Sequence, residues 1–307
     1  MKSTKELLEF GIINIDKPSG PTSFNVSDFV RKILGIRKTS HFGTLDPKVT
    51  GVLPIALNRA CKLTGYFIGH NKEYVGIMRM HEEIEMKKIQ ATINKKFLGK
   101  IKQTPPVKSR VARREREREI KSFELLEQDG TPKGVPRDVS KEMSTRGKDI
   151  LFRAEVQGGT YIRKLIDDLG KELGIGAHML ELRRTCAGIF SEETSINLYD
   201  FEKAVKNKEL DKIITPAEEA IKKVYPVMEI KKDNLNYILT GKSITKKDLV
   251  TRHRRTPKDF QRKSLLGAKV EEIVCCFCGK RFIGMYKIVD EEYAYAKPKF
   301  VMQPIKN

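Results

Sequence analysis

One carboxylate stands where it could do chemistry. Asp46 lies in His41-Phe-Gly-Thr-Leu-Asp-Pro-Lys-Val-Thr-Gly51, directly before the apolar run Val52-Leu-Pro-Ile-Ala-Leu57. Pro47 biases the backbone of Asp46 away from the helical region, and Gly43 and Gly51 permit sharp turns on either side. Such a loop presents a polar side chain, and a presented carboxylate can serve as a nucleophile or a base. On local chemistry alone, an Asp-Pro in a loop is usually an ordinary turn. Tyr74, in Lys72-Glu-Tyr-Val-Gly76, is an aromatic one strand further on, and aromatics so placed mostly fill cores. Arg163 follows Gly158-Gly-Thr-Tyr-Ile162 in the first turn of an expected helix. A cation there opposes the positive end of the helix dipole, a local cost that points to an anionic partner.

The elements that must position these groups can be read from periodicity. Gly11 to Asp16 alternates as a strand into the turn Lys17-Pro-Ser-Gly-Pro21. Thr22 or Ser23 then caps a helix with apolar Val26, Phe29, Val30, Ile33 and Leu34, ended by Gly35. Val52 to Leu57, Tyr74 to Met80 and Ile150 to Val156 read as strands, and Glu82 to Leu98 as an amphipathic helix. Ile162, Leu165, Ile166 and Leu169 make the buried stripe of another helix, leaving Arg163 on a different face. Two prolines force Thr104 to Val111 to be extended, and 127 to 149 reads as a long loop. The sign-alternating run Arg113 to Glu119 suits a self-paired solvated face or a contact with RNA. From about Ala217 the composition changes, with Asp233-Asn-Leu-Asn-Tyr-Ile-Leu-Thr-Gly241, a basic stretch 246 to 263 and strands near 272 to 288 and 300 to 302.

At 307 residues the chain has length for about two domains. Its 60 Lys and Arg against 40 Asp and Glu leave +20, more than solubility requires, and favour a polyanionic partner. No apolar stretch reaches a membrane span and the N-terminus has no signal-like segment, so an intracellular protein is expected. Five cysteines without a pairing pattern fit a reducing compartment. Cys275-Cys-Phe-Cys278 lacks the two further ligands of a structural zinc site, so apolar strand cysteines and no metal are expected.

Taken together, the residues 41 to 51 closely resemble the active-site loop of the TruB family of RNA pseudouridine synthases, G-[TA]-L-D-P-x-[VA]-T-G. Asp16-Lys-Pro-Ser-Gly-Pro-Thr-Ser23, Lys72-Glu-Tyr74, Gly159-Thr-Tyr-Ile-Arg163 and Leu182-Arg-Arg-Thr-Cys-Ala-Gly-Ile-Phe190 resemble further family motifs in the right order, covering 11 to about 205. Gly176-Ala-His-Met-Leu-Glu-Leu182 looks like the archaeal and eukaryotic, dyskerin-like branch; Phe42 stands where a small residue is common. The resemblance implies Asp46 as the catalytic residue, paired with Arg163, with Tyr161 at the site. It implies Tyr74 against the uracil face, Leu182 lining the base pocket, and His41 as a wedge filling the space of a flipped uridine. Lys17 and Pro18 would support the loop, and 127 to 149 would grip the RNA. An α+β fold is implied, with a mainly antiparallel central sheet flanked by helices and a catalytic cleft over 1–222, then a small β-rich PUA-like RNA-binding domain over 223–307. The implied reaction needs no metal or cofactor. Its substrates would be the T-loop uridine of tRNA, rRNA sites guided by box H/ACA RNA, or both, with small H/ACA particle proteins as partners. The location would be cytoplasmic in an archaeon and nucleolar in a eukaryote. The alternative is a non-catalytic RNA-binding scaffold subunit of such a particle.

Overall fold

The computed structural model describes residues 2–105, 112–128, 148–250 and 269–304. The end of the proline-bearing segment, most of the expected long loop and the basic stretch beyond residue 250 lie outside the described residues. Two compact units emerge, Gly11–Ile214 and a second joining Met1–Phe10 to Thr215–Asn307.

The first unit is built on β1 (Gly11–Lys17), β2 (Thr39–His41), β3 (Thr50–Leu57), β4 (Lys72–Met80), β5 (Gly99–Gln103), β6 (Arg116–Gln128), β7 (Asp149–Val156), β8 (Ala177–Ala187) and β9 (Phe190–Ser191). The main order is β1-β3-β8-β4-β7-β6-β5, with β2 on β3 and β9 on β8. The β3–β8 pair is parallel; the other registered pairs of this sheet are antiparallel. One crosswise row matters most. Lys17 pairs with Gly51, Gly51 with Arg184, Arg184 with Tyr74, and Tyr74 with Ala154. Directly opposed residues share a face of the sheet, so Lys17, Arg184 and Tyr74 are aligned across neighbouring strands.

Helix Ser23–Ile33 begins with a reciprocal capping box between Thr22 and Asn25. Helix Ile162–Glu172 buries Ile162, Leu165, Ile166 and Leu169, the stripe read from their spacing. Its end turns tightly into β8, where a Cβ on Gly170 would come 2.1 Å from the Ala177 nitrogen. Phe42 is buried and stacks on Phe67 with centroids 4.7 Å apart, so its bulk fills the core beneath the loop. The run at 113–119 enters β6, where Lys100–Glu117 and Lys102–Glu115 pair across to β5 at 3.0 and 3.2 Å. The helix expected from Glu82 starts only at Met86. The His81 N–H donates to the Gly176 carbonyl, and Glu85 stays extended before the first turn.

The second unit carries strands Val227–Glu229, Ile273–Cys278, Arg281–Glu291 and Ala294–Val301 in that order, the first pair parallel. Cys275, Cys276 and Cys278 are buried strand residues. The division expected at 222/223 differs from these units. Phe10 stacks on Phe282 at 5.4 Å, and the Ala217 N–H donates to the Phe10 carbonyl at 3.0 Å. Contacts between segments so far apart in sequence leave no trace in local composition.

Gly51 holds the parallel β3–β8 approach, with φ +99° and a hypothetical Cβ 2.2 Å from the Arg184 carbonyl oxygen. Gly51→Ala should cost about 3 kcal/mol, from left-handed strain and overpacking. Gly35→Ala should cost only about 1 kcal/mol, since Gly35 has φ +61° and open space around it. Urea unfolding midpoints compare the two; equal losses would show that the strands move apart freely.

Candidate active site

The Asp46 loop is held by backbone carbonyls bonded to buried cations. Lys17 is fully buried, and its Nζ donates to the carbonyls of Pro18, Pro47 and Val49 at 2.8, 2.9 and 2.8 Å. Arg184, 1% exposed, donates from Nε to the Val52 carbonyl at 2.7 Å and from Nη2 to the Gly43 carbonyl at 3.1 Å. Lys72 donates to the carbonyls of Ile68 and His70. Ser23 completes the clasp by accepting from the Leu45 N–H at 2.8 Å and donating to its carbonyl at 3.0 Å. Within the loop, the Val49 N–H closes a turn onto the Asp46 carbonyl at 3.0 Å.

Burial pushes the Lys72 amine down to about 8, and Arg184 beside it adds to the effect. Burial also lowers Lys17, while Asp46 works the other way. His41, on β2, has Nε2 3.2 Å from Thr44 Oγ1; burial first and Arg184 second lower its pKa and favour the neutral ring.

Arg163 Nη2 lies 2.6 Å from Asp46 Oδ2. The two side chains are 56% and 48% exposed, so the pair is open to water. An ion pair of that kind contributes about 0–1 kcal/mol to stability. Its purpose is therefore to be sought in what covers it. Tyr161 is the residue before the Arg163 helix, and Gln103 fixes it by accepting from its N–H at 3.1 Å and donating to its carbonyl at 3.3 Å. Tyr74 and Leu182 are buried. Leu182 faces Gly76, where a Cβ would come 2.8 Å from Leu182 Cδ1 and 2.9 Å from Phe152 Cζ.

The structure thus brings Asp46 to Arg163, Lys17 and Pro18 to the loop, and His41 to its N-terminal side. It sets Tyr74 and Leu182 on facing strands β4 and β8. Sequence reasoning passed over Arg184, Lys72, Ser23 and Gln103. Arg184 and Lys72 stood inside quoted motifs, but a basic residue in a strand gives no sign that its partners are main-chain carbonyls.

A loop carboxylate paired with a helix arginine, mounted on a mixed sheet, defines a class that comparison makes explicit. The chain belongs to the TruB family of pseudouridylate synthases: the profile of the family's N-terminal domain matches residues 31–162, and that of the tRNA pseudouridylate synthase B C-terminal domain matches 163–222. It is 40% identical over 253 residues to a probable tRNA pseudouridine synthase B of Methanopyrus kandleri, covering 80% of this chain and 69% of that one. It is 45% identical over 225 residues to the protein of the same description from Nanoarchaeum equitans, covering 71% of this chain and 59% of that one. Among solved structures, a Cbf5-Nop10-Gar1 complex matches with a TM-score of 0.80 at 32% identity, over 99% of this chain and 88% of that one. An H/ACA RNP bound to a substrate RNA containing 2'-deoxyuridine matches with a TM-score of 0.78 at 30% identity, over 99% and 88%. The dyskerin-like branch and the α+β fold with its C-terminal β-sheet are thereby supported.

Lys17→Met should lower unfolding stability by about 1–3 kcal/mol, because it leaves buried carbonyls without donors. Arg163→Ala should cost less than about 1 kcal/mol. Chemical denaturation distinguishes them, and a larger loss for Arg163 would show that the ion pair is structural. Lys72 also makes stability depend on pH. Its folded pKa of about 8 lies below the ordinary 10.5, so between these values the unfolded chain binds the proton and the folded chain does not. The resulting stabilisation is complete above 10.5 and lost as pH falls through about 8. Relative to Lys72→Met, wild type should gain stability steadily across that window in matched urea titrations.

Proposed function

We propose that this chain is an RNA pseudouridine synthase with Asp46 as its reactive carboxylate. The observation that carries the reading is the Asp46–Arg163 contact, in which the arginine lies 2.6 Å from a carboxylate presented by a clasped loop. In the reaction the N1–C1′ bond of a uridine breaks, the uracil turns, and C5 bonds to C1′; C5 loses a proton and N1 gains one, so atoms balance without a redox partner. Asp46 acts at the sugar, as nucleophile at C1′ or as base toward the 2′ proton. In the free chain, water screens its charge pair. Bound RNA would displace that water and lower the local dielectric, which strengthens the attraction between Arg163 and the carboxylate.

The uridine must first leave its stack, which costs a few kcal/mol. Tyr74 receives the uracil face, Leu182 and Tyr161 wall the pocket, and neutral His41 fills the vacated space. Lys17 and Pro18 keep the loop in place. The T-loop uridine of tRNA is the proposed guide-free substrate, in line with the descriptions of the archaeal relatives. Sites directed by box H/ACA RNA, with small particle proteins bound to the catalytic unit, are proposed from the solved complexes. The C-terminal unit is proposed as a PUA-like RNA-binding module. The cytoplasm of an archaeal cell is the proposed location.

Asp46→Asn should bind RNA nearly as wild type does and release tritium from C5-labelled uridine RNA at least about a hundredfold more slowly. Arg163→Ala should be similarly slow, and Arg163→Lys should recover little, because a point charge does not reproduce a planar guanidinium. Wild-type turnover in Asp46→Asn would reject the assignment. Mapping pseudouridine in a tRNA transcript incubated with the protein alone separates the two substrates: product only after guide RNA and accessory proteins are added would leave the guided role.

A further inference from the structure

Phe24 is 71% exposed, although it is the second residue of a well-capped helix in a chain with many buried apolar positions. Single exposed aromatics are common and need no function. Tyr199 and Tyr293 are as exposed, yet no hydrogen bond ties their neighbours to the Asp46 loop among the described residues. Phe24 differs by what its backbone is fastened to. Ser23, the preceding residue, exchanges two hydrogen bonds with the backbone of Leu45, which immediately precedes Asp46. The Gly20 N–H donates to the Pro47 carbonyl at 2.9 Å, and Lys17 donates to that same carbonyl. The Thr22–Asn25 capping box fixes the first turn in which Phe24 stands. The loop carrying Asp46 and the helix start carrying Phe24 are therefore cross-linked on both sides of the carboxylate.

A solvent-facing ring on a helix start fastened to the Asp46 loop can serve the strand that carries a flipped uridine. Flipping a nucleotide also removes a stacking neighbour from the bases on either side of it, and an exposed ring can replace that loss. The net charge of +20 favours an RNA strand over an apolar peptide as the occupant of this surface. Resting on the reading of the site as a pseudouridine synthase, we propose that Phe24 is a stacking platform for a base adjacent to the target uridine, a substrate-positioning residue outside the base pocket itself. Because the clasp fixes the backbone of Phe24 relative to the Asp46 loop, a base stacked on its ring would be held in register with the target.

The test uses the full chain and a tRNA T-arm stem-loop carrying 2-aminopurine in place of the nucleotide on one or the other side of the target uridine. Wild type should quench the fluorescence of one of these probes. Phe24→Ala should abolish that quench and weaken binding about tenfold, with an unchanged unfolding midpoint. Phe24→Trp should restore both, whereas Phe24→Leu, which keeps apolar surface without a flat π-face, should behave as Phe24→Ala. Absence of any quench in wild type, full quench in Phe24→Ala, or full rescue by leucine would each overturn the inference. Asp46→Asn separates it from the proposed reaction: the quench should persist in that variant. A chain that quenches through Phe24 but makes no pseudouridine would retain the platform and lose the reaction, and a chain that makes pseudouridine with an unaltered Phe24→Ala probe would do the reverse.

Discussion

The geometry of the site depends on buried cations bonded to main-chain carbonyls. Lys17 alone gathers three, from Pro18, Pro47 and Val49, and so joins the turn after β1 to the loop after β2. A carboxylate partner would neutralise such a cation more strongly, but it would place a second anion close to Asp46. Carbonyl dipoles solvate the ammonium without adding net negative charge. Asp46 therefore keeps Arg163 as its close ion-pair partner, while Lys17 feels its charge without bonding to it.

The sheet extends the same logic. The row Lys17, Gly51, Arg184, Tyr74 runs across β1, β3, β8 and β4, so two clasping cations and the proposed stacking aromatic are set by strand register. A one-residue slip in any of these pairings would send the side chains of that strand to the opposite face. Gly51 guards the parallel step in the row and Gly76 the packing of Leu182, so both glycines are positions of close approach. Precision at the loop is thus inherited from hydrogen-bonded strands, which deform less readily than loops.

Much of this was legible in the residues themselves. The stripe from Ile162 to Leu169 gave both a helix and the outward face of Arg163, because a period of 3.6 leaves little freedom once four positions are apolar. A cap at Thr22 or Ser23 was expected and Thr22 provides it, and Pro47 with its flanking glycines announced a presented Asp46. The clasp was legible only in part, since the family resemblance named Lys17 and Pro18 as supports of the loop but gave no sign of Arg184 or Ser23. Lysine and arginine in a sequence read as surface charge, and nothing local marks those whose partners are main-chain carbonyls elsewhere in the fold. The openness of the Asp46–Arg163 pair was likewise hidden, since exposure is a property of the surroundings. The shifted start of the helix at Met86 reflects a hydrogen bond to Gly176, distant in sequence.

The second unit closes residues 1–10 onto residues 215–307, with the whole of 11–214 between them. On a ribosome this orders events. Chains emerge N-terminus first, and units generally fold as their last residues appear. The strands β1 to β9 can pair once β8 and β9 are out, while Thr4–Glu9 and Phe10 still await Phe282. Residues 1–10 are thus made well before the partners they find in 215–307, and until those appear Leu7 and Phe10 are apolar side chains that a chaperone or a processing enzyme could reach.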